Sequence, residues 1–128
     1  MATGVQRQLL TVAGVLECLT GFALVLASGP TLLILLGAKA DAVGLMLGPL
    51  AGLALAALGI CCWTARTDPN PSGTLKGITF YNTAAGLYLG FLASSGRAFG
   101  FVVWLAAVVH LSLAAVHLLK GKPVDDSI

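Results

Sequence analysis

The chain alternates long apolar runs with short polar interruptions, and its first apolar run is the most informative. Residues 9–28 are apolar almost throughout and carry one carboxylic acid, Glu17, near the middle. About twenty residues at 1.5 Å per residue span roughly 30 Å, the thickness of a bilayer's hydrocarbon core. The run is also longer than the core of a cleaved signal peptide. We therefore predict a first transmembrane span, in which the buried acid needs a polar partner.

Three further apolar runs predict three further spans. They cover residues 43–65, 78–95 and 101–119. Residues 31–38 are apolar too but are too short to cross, and Pro30 suits the first turn of a short interfacial or re-entrant helix. The sequence thus predicts a single all-α domain over residues 1–128. It is an integral membrane four-helix transmembrane bundle with a short extracytoplasmic interfacial helix between the first two spans.

Small residues recur at intervals of four in two of these spans. They are Gly44, Gly48, Gly52 and Ala56 in the second span, and Gly86 and Gly90 in the third. Such spacing places small side chains on one helix face and lets another helix approach closely. We predict helix packing at these positions, either within the chain or against another subunit. Pro49 should bend the second span, which helices in bilayers tolerate.

Composition and charge agree with a membrane protein and indicate its orientation. The chain is 58% hydrophobic and only 9% charged, whereas soluble domains are nearer a quarter charged. Its formal charge of +2 is too small to indicate a nucleic-acid partner. Five basic residues lie on the side of the termini and two lie opposite, which predicts cytoplasmic termini. The five are Arg7, Arg66, Lys76, Lys120 and Lys122, and the two are Lys39 and Arg97.

Glu17 and His110 are predicted to lie at one depth, about 13 Å from the cytoplasmic face. Each is about nine residues from the cytoplasmic end of its span, the first for Glu17 and the fourth for His110. A carboxyl beside an imidazole can share a proton in a medium of low dielectric constant. We therefore predict a neutral or proton-sharing contact between the two, either at a functional site or as a structural contact that fixes helix register.

Two further polar residues join this hypothetical ligand or proton site. Asn82 follows Tyr81 in the third span, where an asparagine usually hydrogen-bonds to another helix. Tyr88 lies near the middle of the same span. The predicted site therefore consists of Glu17, His110, Asn82 and Tyr88, with no catalytic residue assigned.

No residue set in the sequence predicts a cofactor or a metal. His110 and His117 lie about 10.5 Å apart along one helix, so they cannot be the two axial ligands of one haem. No three or four zinc ligands converge. The three cysteines, Cys18, Cys61 and Cys62, lack the C-x-x-C spacing of disulfide exchange. Since hydrolase and nucleotide-binding motifs are also missing, the sequence leans against an enzyme.

Two resemblances follow from these residues. The proline-led PTLLILLG, the second span ending GLALAALGICCW, YN in the third span and a histidine in the fourth resemble small bacterial four-helix membrane proteins akin to the DoxX-like families. That resemblance implies the bacterial inner (plasma) membrane, and some DoxX relatives are subunits of quinone-linked oxidoreductases. A lone glutamate in the first of four spans is similar to the small multidrug-resistance transporters, whose first-helix acid binds protons and cationic drugs. Glu17 fits that role, although the long 29–43 connection departs from that family.

Three functional hypotheses remain open. The first is a non-catalytic membrane protein, either an accessory subunit or a binder of a lipophilic molecule such as a lipid or a quinone. The second is a proton-coupled small-molecule transporter that uses Glu17. The third is a subunit of a quinone-linked oxidoreductase whose cofactor lies in a partner. The expected partners are membrane lipids, other membrane subunits or further copies of the chain.

Overall fold

The computed structural model describes residues 3–120 and is all-helical with four helices, which confirms the all-α part of the predicted fold class. The helices are α1 (Gly4–Leu36), α2 (Ala42–Ala65), α3 (Ser72–Ser94) and α4 (Phe101–Lys120). Within this described part, α1, α2 and residues Phe101–Leu119 of α4 are long and apolar enough to cross a membrane. Lys122, one of the five basic residues that predict the orientation, lies outside the described residues.

Helix α3 is more polar than the other three and begins six residues earlier than predicted. Its first turns carry Ser72, Thr74 and Lys76 ahead of the apolar residues, and Pro71 stands at the N-cap position. A proline favours a helix start because the N–H it lacks would have no partner there. The connection between α2 and α3 therefore covers residues 66–71, and not the whole of 66–77 that the predicted spans left between them.

Helix α1 starts with a capping box and is broken before its end. Thr3 Oγ1 accepts from the Gln6 amide at 3.2 Å, and Gln6 Oε1 accepts from the Thr3 amide at 2.9 Å. The backbone leaves the helical region at Ala27, with φ −150° and ψ 59°. Pro30 explains the position of the break, because a proline clashes with the preceding turn and removes one of its hydrogen bonds.

After the break, residues 28–36, here termed the return segment, fold back along α1. Thr31 Oγ1 donates to the Ala23 carbonyl at 3.0 Å, although residues eight apart in a straight helix are about 12 Å apart. The Ser28 hydroxyl donates to the Leu24 carbonyl at 2.5 Å. Side-chain hydroxyls thus bond carbonyls around the break, as is required where no water is present.

Residues 31–36 of the segment predicted as an interfacial or re-entrant helix are helical and belong to the return segment, which continues α1 and ends at Leu36. Gly37 terminates it in the left-handed conformation, with φ 65°. An added Cβ at Gly37 would lie 1.8 Å from the Phe99 carbonyl oxygen, so glycine is required here. The Phe99 amide also donates to the Leu36 carbonyl at 2.7 Å. These contacts fasten the return segment to the connection that precedes α4.

Helices α1 and α2 pack as a close antiparallel pair through glycines. An added Cβ at Gly21 would lie 2.6 Å from the Gly52 carbonyl oxygen, and one at Gly59 would lie 2.8 Å from the Gly14 carbonyl oxygen. An added Cβ at Gly48 would meet Ser28 at 2.8 Å. The two backbones are therefore in contact along most of their length, which is the small-residue packing known from membrane helices.

The predicted packing residues differ in what they contact. Gly48, Gly52 and Ala56 are buried against α1, whereas Gly44 faces Ala40 and Asp41 at the start of its own helix. An added Cβ at Gly86 would lie 2.7 Å from Leu111, so Gly86 brings α3 and α4 together. Gly90 has nothing within 4 Å of an added Cβ and makes no such contact.

The bundle consists of two pairs, α1 with α2 and α3 with α4, joined mainly through α1 and α4. A buried cluster at the end where α1 begins also joins α1, α2 and α3, through Leu10, Ala13, Cys62, Ala65, Leu75 and Ile78. Large apolar side chains cover much of the outer surface, and Leu26, Met46 and Phe80 are 84%, 78% and 77% exposed. An apolar exterior of this extent is characteristic of a protein surrounded by lipid.

Candidate functional site

Glu17 points into the bundle and is only 3% exposed. It follows Ala13 and Gly14 on the buried face of α1, and Gly21 continues that face one turn later. The Tyr81 hydroxyl of α3 makes a side-chain hydrogen bond with the Glu17 carboxyl. The acid therefore obtains the polar partner that its depth requires, and that partner is a phenol.

His110 is held by Asn82 in a defined orientation. His110 Nδ1 lies 2.7 Å from Asn82 Oδ1, and Asn82 Nδ2 donates to the Ile78 carbonyl at 2.9 Å. Because the amide nitrogen of Asn82 is already engaged as a donor, its oxygen must accept from His110. The proton of a neutral His110 is therefore on Nδ1, and Nε2 is left as an acceptor. Asn82 itself is 2% exposed and His110 is half-buried, so this contact is partly buried.

The predicted direct contact between Glu17 and His110 is not made. Both residues are among those that the structure describes, and each uses a different residue of α3, Tyr81 for the acid and Asn82 for the imidazole. The Tyr81 ring stands edge-on to the His110 ring, with centroids 5.6 Å apart. The prediction used depth along the helix axes, and depth does not determine the direction in which a side chain points around its helix.

Glu17, Tyr81 and His110 nevertheless line one cavity, here termed the Glu17 cavity, of about 230 Å³. Its other lining residues are Leu16, Thr20, Leu35, Val102, Leu105, Ala106 and Val109. Leu16 and Leu105 are also exposed on the outer surface, so the cavity opens sideways between α1 and α4. Leu35 belongs to the return segment, which therefore forms part of the wall.

A second polar contact between α3 and α4 lies nearer the chain termini. His117 Nδ1 and Thr79 Oγ1 are hydrogen-bonded. Beside them, Asn82, Thr79 and His117 border a small void of about 10 Å³, which is the size of one water molecule. The sequence analysis did not identify Thr79, although threonine is a usual interhelical hydrogen-bonding residue in membranes.

Tyr88 does not join the other predicted site residues. Its side chain is 61% exposed and lines a different groove, beside α2 and the return segment. Tyr81 takes the place that was expected for Tyr88 at the site. Tyr81 could have been identified from the sequence by its position directly before Asn82. Tyr88 was selected only because it lies near the middle of the third span.

The cysteines and the ionisable residues form no metal centre in the described part of the chain. Cys62 is fully buried between helices, and Cys18 Sγ donates weakly to the Ala56 carbonyl at 3.7 Å. Cys61 is exposed on the outer surface of α2. The thiols of Cys18 and Cys62 thus act in packing between helices.

The site combines a carboxyl, a phenol and an imidazole within a mostly apolar cavity, whose lining also includes Thr20. These groups can bind the polar end of a ligand whose remaining part is apolar. Comparison of the chain with protein-family models, with curated proteins and with solved structures finds no match to any of them.

Proposed function

We propose that the protein crosses the bacterial inner (plasma) membrane four times, with α3 as the third span and both termini in the cytoplasm. Helix α3 packs along α4, which is itself apolar enough to span, and its 23 residues extend about 34 Å. The distribution of basic residues supports the orientation. The Arg66 guanidinium also stacks over the Trp63 ring, 3.4 Å from its centroid, as expected for an aromatic anchor at a membrane interface.

Within that membrane, the proposed function is to bind a lipophilic small molecule, a lipid or a quinone, in the Glu17 cavity. The observation that carries this proposal is the sideways opening of the cavity between α1 and α4, with Glu17 and His110 in a lining that is mostly apolar. A ligand dissolved in the bilayer enters through this opening without crossing water. Its apolar part contacts leucines and valines, and its polar end reaches Glu17 and His110.

The polar residues divide the binding role among them. Glu17 and Tyr81 form one hydrogen-bonding unit, and His110 presents a second group whose orientation is set by Asn82. Fixed polar groups in an apolar pocket are the usual source of ligand orientation and selectivity. At about 230 Å³, the cavity accommodates the polar end of a ligand and a short apolar portion, while the rest remains in the bilayer.

The test is to purify the full chain in a mild detergent, extract the bound molecules and identify them by mass spectrometry. Ala106→Phe fills the cavity from α4 and should remove the bound molecule. Ala115→Phe is the matched control, because Ala115 is exposed on the same helix and does not line the cavity. Equal ligand content in both variants and in the wild type would contradict the proposal.

A proton-coupled transporter is the second candidate, and the burial of Glu17 favours it. Glu17 is the one acidic residue buried in the described part of the chain, and it lines a cavity open to the membrane. A transporter would couple release of a cationic substrate to protonation of this acid. Flux of a lipophilic cation into liposomes should then require a pH gradient and be lost in Glu17→Gln, whereas a binding protein shows no such flux.

A role as an accessory subunit, including one in a quinone-linked oxidoreductase, depends on a partner protein. The exposed apolar surfaces of α1 and α2 leave room for such contacts. Gentle purification followed by identification of co-purifying membrane proteins tests this role. A redox-active partner would assign the Glu17 cavity to quinone, while a ligand found without any partner supports the binding function alone.

A further inference from the structure

The bundle leaves a second opening on its other side, between α2 and α3. These helices contact each other much less than α2 contacts α1, and the buried cluster joins them only near the end where α1 begins. Towards the opposite end a groove of about 760 Å³ remains, here termed the outer groove. It is bordered by the return segment, the first half of α2 and Tyr88 of α3.

The outer groove has charges of both signs at its mouth. Lys39 and Asp41 line it and are exposed, and Lys39 makes no ion pair or hydrogen bond with any residue that the structure describes. One carboxylate oxygen of Asp41 accepts from the Gly44 amide at 2.7 Å and caps α2. The second oxygen is left for a ligand. The mouth thus offers one cation and one anion to an incoming molecule.

Below the mouth, the walls of the outer groove are apolar. Leu32 and Leu36 come from the return segment, and Leu47 and Ala51 come from α2. Gly44 and Gly48 also border the groove and add no side chain to it, and Gly48 itself packs against Ser28. This arrangement, charged at one end and apolar along its length, matches the shape and polarity of a membrane lipid.

We propose that the outer groove binds one zwitterionic phospholipid of the phosphatidylethanolamine type. Its phosphate lies at Lys39, its ammonium group at the free oxygen of Asp41, and one acyl chain lies along the leucine walls below Tyr88. A headgroup with a net negative charge would be repelled by Asp41, and a quaternary ammonium group has no N–H to donate to it. This site is separate from the Glu17 cavity and requires only that the chain lie in a bilayer.

The headgroup assignment is tested by native mass spectrometry of the full chain, titrated with lipids of identical acyl chains. The lipids are phosphatidylethanolamine, phosphatidylcholine and phosphatidylglycerol. We expect the first adduct to form about two- to fivefold more tightly with phosphatidylethanolamine, the range that a partly exposed charge pair supplies. Asp41→Asn keeps the cap of α2 but removes the charge, so it should abolish this preference without unfolding the chain.

Matched variants separate a specific site from general lipid binding. Lys39→Gln should weaken the first adduct for all three lipids, whereas Arg97→Gln should not, because Arg97 lies over Phe91 on the same side of the membrane but away from the groove. Ala51→Trp fills the groove and should remove the adduct. Ala54→Trp places the same side chain on an exposed face of α2 outside the groove and should leave the adduct intact.

Equal effects of Lys39→Gln and Arg97→Gln, or of the two tryptophan variants, would overturn the proposal. A dimer in place of the lipid adduct, lost in Ala51→Trp, would assign the groove to a second copy of the chain and also overturn it. Binding in the Glu17 cavity is measured separately with Ala106→Phe. This variant displaces a ligand from that cavity and does not alter the outer groove.

Discussion

At the scale of single residues, the polar groups of the bundle are paired across helices. Glu17 was predictable as a buried acid because it interrupts a long apolar run. Asn82 was predictable as a residue that hydrogen-bonds to another helix. Their partners were not predictable, because partner choice depends on the rotation of each helix about its axis. Tyr81 reaches Glu17, and Asn82 reaches His110, so α3 supplies both partners.

Removing the Tyr81 hydroxyl should destabilise the protein. Tyr81→Phe leaves the Glu17 carboxyl without its donor and should cost about 1–2 kcal/mol in the free energy of unfolding. Tyr88→Phe is the matched control and should change stability by less than about 0.5 kcal/mol, because Tyr88 is exposed and makes no hydrogen bond among the described residues. Unfolding of both variants in detergent micelles measures the difference, and equal losses would refute the Glu17–Tyr81 bond.

The pairing pattern also predicts which residues are energetically coupled. A double-mutant cycle between His110→Gln and Asn82→Leu should give a coupling energy of about 0.6–1.7 kcal/mol, since the two side chains share a hydrogen bond. The cycle between His110→Gln and Glu17→Gln should give less, because those side chains contact α3 and not each other. A larger coupling energy for His110 and Glu17 would indicate the direct contact that was predicted from the sequence.

At the scale of elements, glycines and one proline determine how α1 is arranged. The four-residue spacing in α2 predicted close packing, and the structure extends that packing to Gly59 while leaving Gly44 out of it. Pro30 predicted the end of the first span. A short interfacial or re-entrant helix after Pro30 was predicted, but its packing along α1 was not, because that placement involves contacts such as the bond of Thr31 to a carbonyl eight residues earlier.

A methyl group at Gly52 should separate α1 from α2. Its added Cβ would lie 2.5 Å from the Gly21 carbonyl oxygen, a backbone atom that cannot move aside alone. Gly52→Ala should therefore cost about 1–3 kcal/mol in the free energy of unfolding. Gly90→Ala, the matched control, meets nothing within 4 Å and should be neutral or stabilising, because alanine favours a helix. Thermal unfolding followed by circular dichroism distinguishes the two, and a neutral Gly52→Ala would contradict the packing.

The return segment can be tested through its threonine. Thr31→Val keeps the shape of the side chain but leaves the Ala23 carbonyl without this donor, which should cost about 1 kcal/mol. Thr11→Val is the control. It removes a hydrogen bond to the Arg7 carbonyl, one turn earlier in a regular helix, so the decrease in the free energy of unfolding should be smaller. If the two variants unfold at the same temperature, the folded-back arrangement is not stabilised by Thr31.

At the scale of the whole molecule, the two helix pairs leave the Glu17 cavity on one side and the outer groove on the other. The hydropathy pattern was sufficient to predict four helices and an all-α fold, because long apolar runs separated by polar turns form helices. The pattern could not predict the Glu17 cavity. Its walls include Leu35 of the return segment beside Leu16, which is nearly twenty residues earlier in the chain. The opening between α1 and α4 is a property of the assembled bundle alone.

Orientation follows from the basic residues and can be measured directly. Both termini should be cytoplasmic, so a reporter active only in the cytoplasm should be active when fused at either end. The same reporter inserted in the 37–41 connection should be inactive. An active reporter in that connection, or inactive reporters at the termini, would reverse the proposed topology.

Photolabelling from within the bilayer tests whether a lipophilic molecule enters the Glu17 cavity from the membrane. A photoreactive long-chain alcohol, activated in liposomes that contain the full chain, should label peptides that carry Leu16, Thr20 and Ala106. Ala106→Phe should reduce this labelling at least several-fold, and Ala115→Phe should leave it unchanged. Labelling spread evenly over the exposed apolar residues, and equal in both variants, would show that the probe meets the protein only as bulk lipid and would contradict the account.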